Sequence, residues 1–261
     1  VTAERTYRTC PACGADDGRR VAAYSPDGWD VVECGACGFA YLRNPPPYAA
    51  LEEDFAWEKT HAERSEKRRG PLSRANRRLR AALGLRGRRS PAMFAKLFGP
   101  GRVLDIGCGA GDWIGPPMTP YGIELSRALW AEADARMRAA GGYCLHGAGA
   151  ERIHDFDDNF FDGVLMNSYL EHEVALGDIL RETQRVLKPG GKAFVRVPNY
   201  GSLNRRVFGA KWCGFRWPDH VNYFTYPALR RIADRLGFDT RLLNAATLPV
   251  DDNVQALLIK R

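Results

Sequence analysis

The stretch Val103-Leu104-Asp105-Ile106-Gly107-Cys108-Gly109-Ala110-Gly111, followed by Glu124 in Tyr121-Gly122-Ile123-Glu124-Leu125-Ser126, decides the fold. Val103 to Ile106 is an apolar-rich run of strand type. Gly107, Gly109 and Gly111, on alternate positions, let the backbone turn sharply toward a helix and approach a ligand closely. A second strand is expected over 121–124, ending on Glu124, where an acid can accept hydrogen bonds from both hydroxyls of a ribose. Strand, glycine turn and spaced acid together predict a nucleotide-type α/β fold.

Charge selects the ligand class. A dinucleotide fingerprint seats a pyrophosphate on the helix N-terminus, but here Asp105 precedes the turn and Asp112 stands at its sixth position, and carboxylates repel phosphate. S-adenosylmethionine has no phosphate and carries a sulfonium and an ammonium, which acids attract. With these residues the chain resembles the class I S-adenosylmethionine-dependent methyltransferases, and the resemblance runs from about Pro91 to Arg261. Ala150, Glu151 and the run 154–167 (HDFDDNFFDGVLMN) resemble that family's adenine-side turn and fourth strand. Residues 170–199 (LEHEVALGDILRETQRVLKPGGKAFVRVPN) resemble its next helix, turn and fifth strand. Apolar Ile179, Leu180, Val186 and Leu187 fall on helical spacing, with Pro189-Gly190-Gly191 expected to break the helix before a strand over 193–197. The resemblance implies a Rossmann-like, doubly wound, mostly parallel seven-stranded α/β sheet. It also implies a cofactor site drawn from Asp105, Gly107, Gly109, Gly111, Glu124, Leu125, Ala150, Glu151 and Asn167. Two departures stand out: Pro116-Pro117 limits the first helix to about one turn, and Gly149 stands where relatives often carry an aspartate that bonds adenine.

At 261 residues and 45% hydrophobic, the chain can bury one α/β core plus a small accessory module. It has no run of eighteen apolar residues and no signal-type segment at its N-terminus, so no membrane partner is expected and a cytoplasmic location is the default.

Cys10-Pro-Ala-Cys13 and Cys34-Gly-Ala-Cys37 are two C-x-x-C pairs, each followed by glycine (Gly14, Gly38). Two residues between thiolates let one turn offer both sulfurs to a tetrahedral ion, and the glycine relieves the backbone under the metal. Disulfides are the competing reading; the absence of an export signal and the unrelated spacing of Cys108, Cys144 and Cys213 favour a structural zinc ribbon over 1–48. Residues 49–99 read as a basic helical linker and cap, and 100–261 as the methyltransferase core. Within the linker, 59–89 holds 12 of the 38 basic residues and 2 of the 31 acidic ones, so the formal charge of +7 is local. Leu72, Ala75, Leu79, Ala82 and Leu83 recur on one helical face, which reads first as a surface helix and second as an RNA-gripping arm. Pro91 to Phe98, with Ser90 as N-cap and Gly99 beyond, is expected as a short helix covering the sheet edge.

The acceptor is harder to read. Asn44-Pro45-Pro46-Pro47-Tyr48 resembles the N-P-P-Y signature of base amino-methylating enzymes but precedes the cofactor domain, and reads as a stiff linker. The position after the fourth strand holds Asn167-Ser168-Tyr169-Leu170, without prolines, which argues against base N-methylation. After the fifth strand comes an insertion, 199–224, with the run Trp212-Cys-Gly-Phe-Arg-Trp-Pro-Asp-His-Val-Asn-Tyr-Phe-Thr225. It resembles a subset of the family acting on sugars, quinone precursors and natural products. That resemblance implies Tyr169, Asn199, Tyr200, Trp212 and Tyr223 as acceptor-side residues; packing against the sheet is the alternative for the aromatics. A hydroxyl acceptor needs a base, for which His220 is first choice and His172 second. Glu171, His172 and Glu173 could instead hold a divalent ion, provided the segment is not an interior helix. The expected function is S-adenosylmethionine-dependent O-methylation of a small molecule. The rivals are an RNA methyltransferase and a non-catalytic cofactor-binding or partner-docking module.

Overall fold

The computed structural model describes residues 7–46 and 90–261. The basic arm and Pro47-Tyr48 lie outside the described residues. A seven-stranded sheet forms the core, from β4 (Gly101–Ile106), β5 (Met118–Glu124), β6 (Tyr143–His146), β7 (Phe161–Asn167), β8 (Leu187–Pro198), β10 (Phe238–Leu242) and β11 (Asn253–Lys260). Their order is β10-β11-β8-β7-β4-β5-β6. β8, β7, β4, β5 and β6 run parallel, and β11 is antiparallel to both its neighbours. The chain steps from β4 outward to β5 and β6, then returns to β7 on the other side of β4. That reversal opens a crevice at the carboxyl end of β4, where such sheets bind ligands.

The helices follow their apolar stripes. α1 (Pro91–Phe98) starts at Ser90, whose hydroxyl accepts from the Met93 amide. Its Phe94 and Phe98 pack with Val103, Leu165, Phe194 and Leu257, so it covers a face of four strands rather than the expected sheet edge. α2 (Arg127–Ala139) is capped by Ser126 and buries Ala133 and Met137, and α3 (Gly149–Arg152) is a single turn. α4 (Leu176–Val186) buries Leu176, Ile179, Leu180, Thr183 and Val186. This helix ends one residue earlier than expected: Leu187 already pairs with Phe161, and Pro189-Gly190-Gly191 forms an excursion within β8 before Lys192 pairs with Gly163. The one-turn helix expected after the glycine loop is absent, because Gly115, Pro116 and Pro117 supply only one amide donor among three residues and the chain runs as turns to Met118.

The N-terminal lobe is a small antiparallel sheet, β1 (Gly18–Arg20), β2 (Val31–Cys34) and β3 (Ala40–Leu42). Its fourth strand, β9 (Asn222–Tyr223), comes from the insertion and pairs with β3. The insertion also holds α5 (Leu203–Phe208) and is followed by α6 (Tyr226–Arg235). Val31, Ala40 and Leu42 share one core with Tyr200, Trp212, Phe215, Val221 and Tyr223. Each large side chain buried there is worth on the order of 2 kcal/mol, which joins lobe to insertion as a single packed unit. Among the described residues no helix is long and apolar enough to cross a membrane.

Candidate active site

The crevice is built on the glycine loop. Gly107, Gly109 and Gly111 all have positive φ (71°, 57° and 75°), and a Cβ at Gly109 would meet nothing within 4 Å, so its backbone is open to a ligand. Glu124, at the end of β5, accepts from the Gly109 amide (2.7 Å) and the Ser126 amide (2.8 Å), fixing loop and acid to each other. Asp105 is 2% exposed and its Oδ2 has no hydrogen-bond partner. Burial, reinforced by the neighbouring Glu124 carboxylate, pushes its carboxyl well above the usual range. Two adjacent buried acids, one with an unpartnered oxygen, make a site that gains from a cation and rejects a phosphate, and they fit the ammonium and ribose of S-adenosylmethionine. Asp112 is exposed on the far side of the turn, paired with Arg136. Leu125 and Ala150 are half-buried beside the crevice, Glu151 is exposed on α3, and Asn167 ends β7 next to β4. Gly149 has no room for the aspartate of relatives, since a Cβ there would overlap the Tyr169 hydroxyl.

The acceptor side is assembled from three distant segments. Ser168, directly after β7, holds a positive φ of 62°, a strained conformation for a non-glycine residue that re-aims the chain. Tyr169 then lies across the crevice, its ring 3.2 Å from where a Gly107 Cβ would be, with its hydroxyl bonded to Glu173. Residues 168–175 run as bends and turns, not helix. Glu173 is turned away from its two neighbours, held by the Ala175 amide (2.8 Å) and Tyr169. In its place His220 of the insertion comes to Glu171 and His172, its ring edge-on to that of His172 at 4.7 Å between centroids.

This cluster has strong polarity. His172 Nδ1 lies 2.8 Å from Asp219 Oδ1, and His220 Nδ1 donates to the Gly214 carbonyl (2.8 Å), leaving its Nε2 to accept from Arg216 (3.3 Å). Arg216 also pairs with Asp219. Burial opposes charge on His172, but the Asp219 carboxylate outweighs it and raises the imidazole above its ordinary value. Burial likewise works against the Asp219 carboxylate, yet His172 and Arg216 bring it down to about 2. His220 is pushed well below its ordinary value by burial and by the charge on His172. Glu171 is 2% exposed, raised by burial, and its Oε2 has no hydrogen-bond partner.

Four of the residues expected on the acceptor side are held in packing and hydrogen-bond contacts. Asn199 spends its amide on Leu248 O, Asp251 O and Gly201 N; Tyr200 donates to Glu33 (2.8 Å); Trp212 donates to Asp252 (2.9 Å); Tyr223 donates to His220 O (2.9 Å). All four are at most 5% exposed, and Tyr200, Trp212 and Tyr223 share a core with Val31, Ala40 and Leu42 of the lobe. Asn44 is also structural, bonded to Asp30 N and Gly28 O.

The structure adds Arg8, which sequence reasoning did not single out. Its guanidinium donates to Leu42 O (3.0 Å), Val174 O (2.9 Å), Val221 O (2.6 Å) and Asn222 Oδ1 (3.1 Å). Asn222 in turn donates to Leu170 O (2.8 Å) and Glu173 O (2.6 Å). Lobe, insertion and the 168–175 loop therefore meet at one half-buried cation. Asp219 could have been noticed, as the carboxylate beside a candidate histidine; a lone arginine before the first cysteine carries no signal.

Cys10, Cys13, Cys34 and Cys37 offer four sulfurs within 4.8 Å of one another. Two matching turns present them: the Gly14 amide donates to Cys10 O (2.7 Å) and the Gly38 amide to Cys34 O (2.8 Å). The closest cross-turn S···S separations, Cys10–Cys37 and Cys13–Cys34, are 3.6 Å, far beyond a disulfide bond and close to the ~3.8 Å edge of a tetrahedron with bonds of about 2.3 Å.

Residues 73–243 match the methyltransferase-domain family. The chain belongs to that family. It carries a methyltransferase domain. Demethylmenaquinone methyltransferase from Geobacillus stearothermophilus is 30% identical over 100 residues, which cover 34% of this methyltransferase and 42% of that protein. An uncharacterised protein from Methanocaldococcus jannaschii is 27% identical over 138 residues, 53% of this chain and 64% of its own. The chain thus matches less than half the length of the demethylmenaquinone methyltransferase. Among solved structures, the YcgJ protein of Bacillus subtilis superposes with a TM-score of 0.53 at 16% identity, covering 66% of this methyltransferase and 97% of that chain. A methyltransferase from Archaeoglobus fulgidus gives 0.52 at 18% identity, covering 77% and 99%. Both share the fold.

Proposed function

We propose that this methyltransferase methylates a hydroxyl group of a small-molecule acceptor. The observation that carries the reading is the His172–Asp219 pair with His220 edge-on to it, at the carboxyl end of the sheet beside the acid-lined glycine loop. S-adenosylmethionine, held by Asp105, Glu124 and the open backbone of Gly109, supplies the methyl group. An amine acceptor brings its own lone pair, whereas a hydroxyl must lose a proton as its oxygen forms the new bond to carbon and the carbon–sulfur bond breaks. A carboxylate-backed imidazole is a device for handling that proton, and Asp219 fixes the ring so that Nε2 faces away from it. Zinc in the four-cysteine site is part of the same reading: four thiolates close its coordination, so its role is to hold the lobe that carries Arg8.

His172→Ala and Asp219→Asn, assayed with a turned-over acceptor, test the proposal. The expected result is a fall in kcat of roughly 10²-fold or more with cofactor affinity unchanged. Unchanged kcat in both variants would refute it.

A further inference from the structure

Glu171, His172 and His220 are brought together from positions 49 residues apart by the fold, and one ligand atom from each lies within 4.8 Å of the other two. Their environment is that of a ligand set. The Nδ1 of His220 is tied to a backbone carbonyl and that of His172 to a carboxylate, which directs both Nε2 atoms away from those partners, that of His220 toward Arg216, and such outer hydrogen bonds are what orient imidazoles around metals. Glu171 Oε2 is buried without a hydrogen-bond partner, a costly state that a cation would relieve. A positive group already reaches the cluster in Arg216, whose guanidinium meets His220 Nε2 while paired to Asp219. It stands at the position of a cation, and its long side chain can keep Asp219 while yielding the imidazole.

We propose that Glu171, His172 and His220 form a second metal site, binding one divalent first-row transition ion such as zinc or manganese through two imidazoles and one carboxylate. Bonds of about 2.1 Å around a tetrahedral ion put ligand atoms about 3.4 Å apart, so the three side chains close inward by about an ångström on binding. Three protein ligands leave a position open toward the crevice. This rests on the reading of the cluster as the acceptor's site: the open position would take the acceptor oxygen and lower the pKa of its hydroxyl, so that the proton leaves to solvent with the His172 imidazole held as a ligand in place of a base. The chemistry favours acceptors that offer a phenol or paired hydroxyls.

Manganese titrated into the zinc-containing full-length protein, followed by loss of the free-ion electron paramagnetic resonance signal, separates this site from the four thiolates, because manganese prefers nitrogen and oxygen donors. One manganese per chain is expected. Glu171→Gln and His220→Ala should each weaken binding at least tenfold, and Asp219→Asn by 10- to 100-fold through the His172 ring. Absence of saturable binding to the unmodified protein overturns the proposal, as does binding unaffected by Glu171→Gln. Loss of turnover in His172→Ala without any manganese binding to the parent protein leaves the imidazole as a direct base and removes only the metal.

Discussion

Replacing Arg8 with methionine should destabilise the protein by about 3 kcal/mol. The arginine makes four hydrogen bonds, to three carbonyls and one side-chain oxygen. Charge-assisted bonds of this kind are worth about 1.5–3 kcal/mol each, so removing them forfeits about 6 kcal/mol at the low end of that range. Against this stands what burying the cation costs. Burial, partly offset by Tyr41 and nearby acids, lowers the guanidinium from 12.5 to about 10, and at 1.36 kcal/mol per unit this returns about 3 kcal/mol when the charge is removed. Methionine keeps the apolar stem, so the remainder reflects the polar network alone. Urea unfolding of both proteins at equal zinc content measures the difference. A midpoint shift equivalent to less than 1 kcal/mol would refute the assignment of Arg8 as the joint between lobe, insertion and the 168–175 loop.

Asp105→Asn should separate stability from binding. A carboxyl raised in the folded state contributes stability below its unfolded pKa that is lost as pH rises through the folded value, so at neutral pH the asparagine variant should be the more stable of the two while binding S-adenosylmethionine more weakly. For the same reason, cofactor affinity in the parent protein should rise with pH until Asp105 is fully ionised in the unliganded state, then level off, and calorimetry across pH should find no such rise in Asp105→Asn. Glu124→Ala removes the acceptor for two amides and the ribose anchor, and at least a tenfold loss of cofactor affinity is expected; unchanged affinity would move the site elsewhere. If the four cysteines hold the zinc proposed above, its chelation should lower turnover together with the protection of the Leu42 amide from hydrogen exchange, since the metal would fix the turns of the lobe that positions Arg8.

What could be read from the residues follows from the range of the interactions. The glycine loop, Glu124 and the two cysteine turns are local motifs, each complete within a few residues, and all appear where their spacing puts them. α1 and α4 were legible from caps and apolar period for the same reason. The helix after the glycine loop was not, because proline removes donors without saying what replaces the helix. The acceptor side depends on contacts that no local pattern encodes. Arg8 reaches Val221, β3 pairs with a strand 183 residues later in its Ala40–Tyr223 partners, and His220 meets Glu171 across the same pairing. For Trp212 and Tyr223 an aromatic run reads alike whether it lines a pocket or fills a core, and only tertiary contacts show them packed against the lobe. That Glu173 leaves the Glu171–His172 pair, and His220 joins it, is not local either: sequence adjacency favours the glutamate, while the turn at 170–173 aims it at Tyr169.

The most direct test is the fate of the methyl group itself. Transfer from S-adenosylmethionine labelled with carbon-13 at the methyl position, offered to a panel of phenols, sugars and quinols with and without RNA, can be read by carbon NMR of the product. The label is expected at the chemical shift of a methyl ether on a small-molecule acceptor, and its appearance should fail in His172→Ala. Label on nitrogen, on ring carbon or in the RNA would contradict the account.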